Sequence, residues 1–201
     1  AALPPDLPPD LPPDLPPDLP PELPPDLPPD LGTGTCVGPV FCDNFDTAQA
    51  WTVTNTSVTT GAWERGDPIG TNLNGAQAQP ETDYPVGTGT QCMFTDQGLA
   101  GGAVGDADLD GGPTTLTSPV FDLGSCGPAT LSFARWFADL SVADDTFAIS
   151  ISNDGGQSWS SLANVSGNQN AWTTTSFEVA DFLPQTASMR LRFVAADQPN
   201  N

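Results

Sequence analysis

The chain has 201 residues, of which 25 are acidic and only four are basic, and it contains no histidine. The formal net charge of −21 repels nucleic acid and anionic membrane surfaces, and it favours divalent cations. All four basic residues are arginine, so imidazole bases and lysine Schiff bases are excluded. We therefore expect no catalytic activity, no nucleic-acid partner and no membrane insertion.

The chain begins with a tetrapeptide repeat. From Leu3 to Asp30 the sequence consists of seven LPPD units, with one change at Glu22. Proline lacks an N–H and fixes φ at about −65°, which excludes a helix and a central strand. The repeat predicts a polyproline II tail over residues 1–31, about 3.1 Å long per residue.

The side chains of this tail face every direction. Polyproline II has three residues per turn and the repeat has four, so each leucine is rotated by about 120° from the last. One interpretation is a stiff acidic spacer. The other is an element gripped by several neighbouring molecules, which can bury all the leucines where a single groove cannot.

Residues 32–201 predict one all-β domain that follows a Gly/Thr hinge. Short β-rich runs alternate with Gly, Asn, Asp and Pro, and no window has a convincing helical period. Phe147, Ile149 and Ile151 share one strand face, and Met189, Leu191 and Phe193 share another. The predicted fold is a jelly-roll-like β-sandwich with an N-terminal polyproline II repeat tail. The runs with strand composition are 39–45, 51–55, 62–66, 91–95, 116–123, 129–137, 145–152, 173–179 and 188–196, and 69–89 is predicted to be a long loop.

Four cysteines indicate an oxidising compartment, because they form no zinc-type pattern and have no histidine beside them. Three pairings are possible. We favour Cys36 with Cys42, which closes a short local loop, and Cys92 with Cys126, which ties the segments that flank an acidic loop. The chain has no transmembrane run and starts Ala-Ala, as expected for a processed, secreted protein at the cell surface.

The acidic loop GDADLDGG, residues 105–112, is the best candidate for a metal site. Asp106, Asp108 and Asp110 with Gly111 reproduce the first half of an EF-hand loop, where alternate carboxylates surround calcium. Thr117 stands where the closing glutamate would be, so this is not an EF-hand. Either a calcium ion is completed by ligands from elsewhere, or the segment is a solvated acidic turn.

Two further patterns concern tryptophan and glycans. SNDGGQSW, residues 152–159, matches the Asp-box, in which Asp and Ser brace a turn and Trp packs beneath it. The five tryptophans predict either core and hairpin supports or a sugar-stacking platform. Asn55-Thr56-Ser57 and Asn164-Val165-Ser166 match the N-glycosylation sequon, so glycosylation is a further expectation.

Five segments in this order resemble a family of bacterial secreted jelly-roll modules, similar to MAM-type and galactose-binding-like β-sandwiches. They are WERGDPIGT, GDADLDGGPTTLTSPVFDL, LSFARWF, FAISISNDGGQSW and MRLRFVAAD, and the similarity extends over roughly residues 47–197. Such modules are typically appended to extracellular hydrolases. The resemblance implies a non-catalytic accessory module with structural calcium at Asp106, Asp108 and Asp110. Such modules usually continue past the last of these segments into one more strand with an acidic DDF-like pattern, and the sequence departs from the family here because it stops at Asn201 first.

Two functions follow as hypotheses. The first is a structural subunit of an extracellular fibre or surface assembly, built by self-association of repeat tails and calcium-braced sandwiches. The second is a carbohydrate-binding module of a secreted hydrolase. An open β edge with apolar flanks invites pairing from another chain, so we expect neighbouring protomers to complete one another.

Overall fold

The structure is a computed structural model that describes residues 36, 38–85, 89–102, 108–139 and 145–197. The LPPD repeat and Asp106 lie outside the described residues. The polyproline II tail and its boundary at residue 31 therefore stay predictions.

The described part of the chain is built from short β-strands and contains no α-helix, which confirms the all-β class. A 3-10 turn at Val179–Asp181 follows the twelfth strand. The strands are β1 (Thr52–Asn55), β2 (Val58–Thr60), β3 (Trp63–Gly66), β4 (Asn72–Leu73), β5 (Ala76–Gln77), β6 (Cys92–Thr95), β7 (Asp110–Gly111), β8 (Thr114–Thr117), β9 (Thr130–Arg135), β10 (Thr146–Ser152), β11 (Ser160–Val165), β12 (Thr173–Glu178) and β13 (Arg190–Ala196).

Five strands form the main sheet, in the order β1-β8-β13-β10-β11, and every neighbouring pair is antiparallel. Its inner face follows from period-two alternation, because Ile149 pairs with Phe193 and Ile151 pairs with Leu191. Ile149 and Ile151 are completely buried. The predicted face of β10 is therefore confirmed, as is that of β13.

Two further ladders pack around the same core, and within the described residues they are not hydrogen-bonded to each other. One ladder joins β9 to β12, and the other joins β3 to β6. Phe133 and Phe177 of the first ladder pack against the core, and Trp63 of the second lies 6.0 Å from Phe147 between ring centroids. Two minor ladders, β2 with β7 and β4 with β5, complete the described strands.

The β10–β11 connection has the hydrogen bonds of an Asp-box. The Asp154 carboxylate accepts bonds from the backbone of Gln157 and Ser158 at 2.9 and 3.0 Å, and from the hydroxyl of Ser152 at 2.7 Å. The Trp159 indole donates to the Gly156 carbonyl at 3.0 Å, and its ring lies 4.3 Å from the guanidinium of Arg192. The structural role predicted for this motif is confirmed.

These bonds to Asp154 make a pH-dependent contribution to stability. Hydrogen bonds from Ser158 and Ser152 hold the pKa of Asp154 well below its ordinary value. A depressed folded-state pKa contributes stability above the unfolded pKa of about 3.9, and this stability is lost as the pH falls further. We expect Asp154→Asn to lower the melting temperature at pH 7, and the gap to wild type to shrink below pH 4. Melting curves by circular dichroism at pH 7, 5 and 3 test this, and a gap independent of pH would contradict it.

Some local predictions are wrong. Residues 39–45 have strand composition, but they form bends because Phe45 adopts φ 61° and the Asp43 carboxylate accepts a bond from its N–H at 2.8 Å. The predicted loop 69–89 carries the small β4–β5 hairpin. Strand β11, at the edge of the main sheet, was not predicted, because its buried residues Leu162 and Val165 are three positions apart and break the period-two pattern.

The predicted disulfide pairing is also wrong. The structure joins Cys36 to Cys126, and it leaves Cys42 and Cys92 as free thiols. Spacing along the chain favoured a bond between Cys36 and Cys42, but tertiary packing places Cys36 beside Cys126. Phe41 stacks on Phe121 at 5.5 Å between centroids, which brings this segment to the turn that holds Cys126. A disulfide agrees with the oxidising compartment that the cysteines indicate.

Within the described residues, no helix has the length and hydrophobicity needed to cross a lipid bilayer.

Candidate functional site

One candidate site is a cavity of about 920 Å³. Residues of β6 and β9 line it, together with Leu116, Leu191 and Phe193 of the main sheet. This volume is in the range of ligand pockets, about 300–1,000 Å³. We call it the inter-ladder cavity.

Two strands that line the inter-ladder cavity, β6 and β9, each have one strand partner among the described residues. Among the described residues, β6 is hydrogen-bonded only to β3, and β9 only to β12. Each strand therefore has a second edge of N–H and C=O groups without a neighbouring strand. A strand edge of this kind can accept a further strand.

The aromatic rings around this cavity are incompletely covered. Phe133 is half-buried, with its ring perpendicular to that of Phe193 at 5.2 Å. Leu131, which also lines the cavity, is half-buried and packs against the core cluster. These apolar side chains therefore border the cavity without being fully covered.

The second candidate is the acidic loop, of which Asp108 and Asp110 are described. The hydroxyl of Thr60 donates to the Asp110 carboxylate at 2.9 Å and reaches the Asp108 carbonyl at 3.3 Å. Asp110 lies in β7, directly opposite Thr60 of β2. The β2–β7 ladder thus fixes both residues in one place.

Negative charge accumulates around Asp108. Partial desolvation raises the pKa of Asp108, and the charges of Asp110, Asp197 and Asp96 raise it further. Asp96 and Asp197 were not predicted as neighbours, since they lie on other segments and no local pattern reveals the contact. A divalent cation bound at this loop would relieve this repulsion.

The described residues alone do not complete a metal site. Across the described ranges, no group of three or more His, Cys, Asp or Glu side chains is arranged to hold a metal ion. Asp106 lies outside these ranges. Calcium ligation by Asp106, Asp108 and Asp110 therefore stays a prediction.

The five tryptophans do not form one platform. Trp51 packs near Phe193, Trp63 on Phe147, and Trp159 on Arg192. The remaining two, Trp136 and Trp172, meet edge-to-face at 6.0 Å.

Trp136 and Trp172 form a half-exposed aromatic cluster with Tyr84. Tyr84 lies 5.9 Å from Trp172 between ring centroids, and its hydroxyl is 2.9 Å from that of Thr174 on β12. The indoles of Trp136 and Trp172 donate to the carbonyls of Ala78 and Thr82, at 2.7 and 3.1 Å. These bonds hold the loop that follows β5 against the β9–β12 ladder. Both indoles therefore have a structural role.

No protein-family model, no curated protein and no solved structure matches this chain. No family is therefore identified, and the function is inferred from the geometry of the domain itself.

Proposed function

We propose that this chain is a structural subunit of an extracellular fibre or surface assembly. In this proposal the domain is a jelly-roll-like β-sandwich, and an extended segment of a neighbouring copy completes its second layer. The observation that carries the proposal is the inter-ladder cavity, which is lined by apolar residues of the main sheet and by two strands, β6 and β9, that each pair on one side only among the described residues.

An inserted strand would both pair with the open strand edges and cover the apolar residues that line this cavity. Its backbone would pair with β6 on one side and β9 on the other, as in known modes of strand addition. Alternate side chains would point inward, onto Leu116, Leu191 and Phe193. Such an occupant is extended, free of proline and apolar at every second position.

The LPPD repeat does not fit this description. Half of its residues are proline and have no N–H, so it cannot pair on both sides. We assign it a different role, in which the leucines of the tail are gripped by side chains of several protomers. Contacts in which a segment of one copy enters a different site on the next copy do not close on themselves, and they generate filaments.

Electron microscopy of the full chain and of a variant lacking Ala1–Asp30 tests the role of the tail. We expect fibres from the full chain and none from the deletion variant. A matched control keeps the length and the prolines but replaces every repeat leucine by serine. If either variant forms the same fibres, the leucines of the tail are not required and this role is wrong.

Calcium is proposed to brace the same domain at the acidic loop. A ligand that binds only the folded state stabilises it by about 2.7 kcal/mol at one hundred times its Kd. We expect calcium to raise the melting temperature of the wild type and a chelator to reverse the effect. Asp108→Asn should lose this response, and in chelator it should melt no lower than wild type because a like charge is removed.

Asp181→Asn is the matched control for the calcium prediction, since Asp181 is exposed and lies in the 3-10 turn after β12. It should keep the full response to calcium. An equal response in wild type and Asp108→Asn would contradict the assignment.

Carbohydrate binding is the second candidate, and the aromatic cluster of Tyr84, Trp136 and Trp172 favours it. Half-exposed rings beside neutral hydroxyls suit a sugar, which presents both C–H faces and hydroxyl groups. Sedimentation with insoluble polysaccharides separates the candidates. A monodisperse monomer that binds polysaccharide, and loses binding in Trp172→Ala, would support this alternative over the fibre.

A further inference from the structure

Two cysteines, Cys42 and Cys92, have no disulfide partner in the structure. Cys92 is 6% exposed at the start of β6, whereas Cys42 is exposed on the segment that leads into β1. Both residues line the inter-ladder cavity. The other two cysteines of the chain are already joined as Cys36–Cys126.

The segment that carries Cys42 is held beside β6. The backbone N–H of Thr90 donates to the Asp46 carboxylate at 3.0 Å, and the Arg65 guanidinium donates to the Phe45 carbonyl at 2.8 Å. Arg65 belongs to β3, whose next residue, Gly66, pairs directly with Cys92. Each contact lies within four residues of one of the two cysteines.

The same segment is also fixed on its other side. Phe41 stacks on Phe121, and the Trp51 indole donates to the Asp43 carboxylate at 2.7 Å. The Cys36–Cys126 bond anchors the segment six residues before Cys42. Cys42 is therefore confined to a short bend next to β6.

We propose that Cys42 and Cys92 form a second disulfide, which joins the segment after the repeat tail to the wall of the inter-ladder cavity. A disulfide requires a Cα–Cα separation of about 4.4–6.8 Å, so this bond would hold Cys42 directly against the start of β6. The inference does not depend on the proposed assembly. It follows from the contacts that hold the two segments together and from an oxidising compartment with four cysteines.

The oxidant is a small disulfide such as glutathione disulfide, and the exchange balances. The exposed Cys42 thiolate attacks it, forms a mixed disulfide and releases one glutathione thiolate. Cys92 then attacks the Cys42 sulfur and releases the second, so that two cysteine thiols are oxidised and one glutathione disulfide is reduced to two thiols. Burial raises the pKa of Cys92 to about 12, which makes this second step the slow one.

The consequence is a segment attached at two points directly after the repeat. Cys36 would connect it to the Cys126 turn, and Cys42 would connect it to β6. A force applied to the tail would then be transmitted to both attachment points, Cys126 and Cys92, and residues 36–51 would stay attached to the domain.

Mass spectrometry of the full chain tests the bond. The protein is equilibrated in a glutathione redox buffer, quenched with acid, alkylated in denaturant so that buried thiols also react, and digested without reduction. We expect one cross-linked peptide pair from Cys36 and Cys126, another from Cys42 and Cys92, and no alkylated cysteine. Alkylation of both Cys42 and Cys92 beside an intact Cys36–Cys126 bond would overturn the proposal.

Matched variants separate a covalent bond from simple packing of the buried thiol. Cys42→Ala and Cys92→Ala should each lower the melting temperature by about 10 °C, and the double variant should lower it no further. Each single variant should expose one alkylatable thiol. If Cys92→Ala lowers the melting temperature and Cys42→Ala does not, Cys92 contributes only by packing and the proposal is wrong.

Discussion

Replacing Ile149 by alanine should lower the free energy of unfolding by about 4 kcal/mol. Ile149 is completely buried at the centre of the main sheet, where it pairs with Phe193 and Ala163. Removing three carbons there leaves a void that neighbours in a β-ladder cannot fill. Chemical denaturation measures this change.

The matched comparison is Phe133→Ala, on the wall of the inter-ladder cavity. This change removes more atoms, yet it should cost the isolated domain only about 2 kcal/mol, because the Phe133 ring already borders empty volume. In the assembled state it should cost more, since an inserted strand would pack on that ring. If Phe133→Ala destabilises the unassembled protein as much as Ile149→Ala does, the cavity is filled within a single chain and no donor strand is needed.

Gly61→Ala should destabilise the domain by about 3 kcal/mol. Gly61 adopts φ +79°, and an added Cβ would lie 2.4 Å from both the carbonyl oxygen of Asp108 and the Cα of Leu109. Both contacts are with backbone, so no side-chain rotation relieves them. The substitution should also displace Asp108 and weaken the calcium response.

Gly75→Ala is the control for this prediction. Gly75 has nearly the same φ, +86°, but an added Cβ would meet nothing within 4 Å. It should cost about 1 kcal/mol, from the left-handed conformation alone. Equal losses in the two variants, measured by denaturation, would show that the approach of the acidic loop to Gly61 contributes nothing.

The sequence predicts those parts of the fold that depend on local alternation. The inner faces of β10 and β13 were predicted correctly, because residues two apart along a strand share a face whatever the partner. The Asp-box was predicted because its hydrogen bonds join residues at most four positions apart. Both signals are local, and both are confirmed.

The candidate sites depend on long-range contacts that no local pattern contains. Asp96 and Asp197 come near Asp108 only through the packing of strands that are distant in the sequence. Cys36 forms its disulfide with Cys126, which is 90 residues away, although Cys42 is far closer along the chain. The inter-ladder cavity is likewise a tertiary feature, since it is formed by the space between two ladders.

Hydrogen–deuterium exchange of the full chain, before and after assembly, tests whether a strand from a neighbouring copy inserts beside β6 and β9. We expect the backbone amides of two strands to gain protection together on assembly, because an inserted strand would pair with both of their edges. These strands are β6 (Cys92–Thr95) and β9 (Thr130–Arg135). Amides of β10, already paired on both sides, should change little. Assembly with unchanged exchange in β6 and β9 would contradict strand insertion into the inter-ladder cavity.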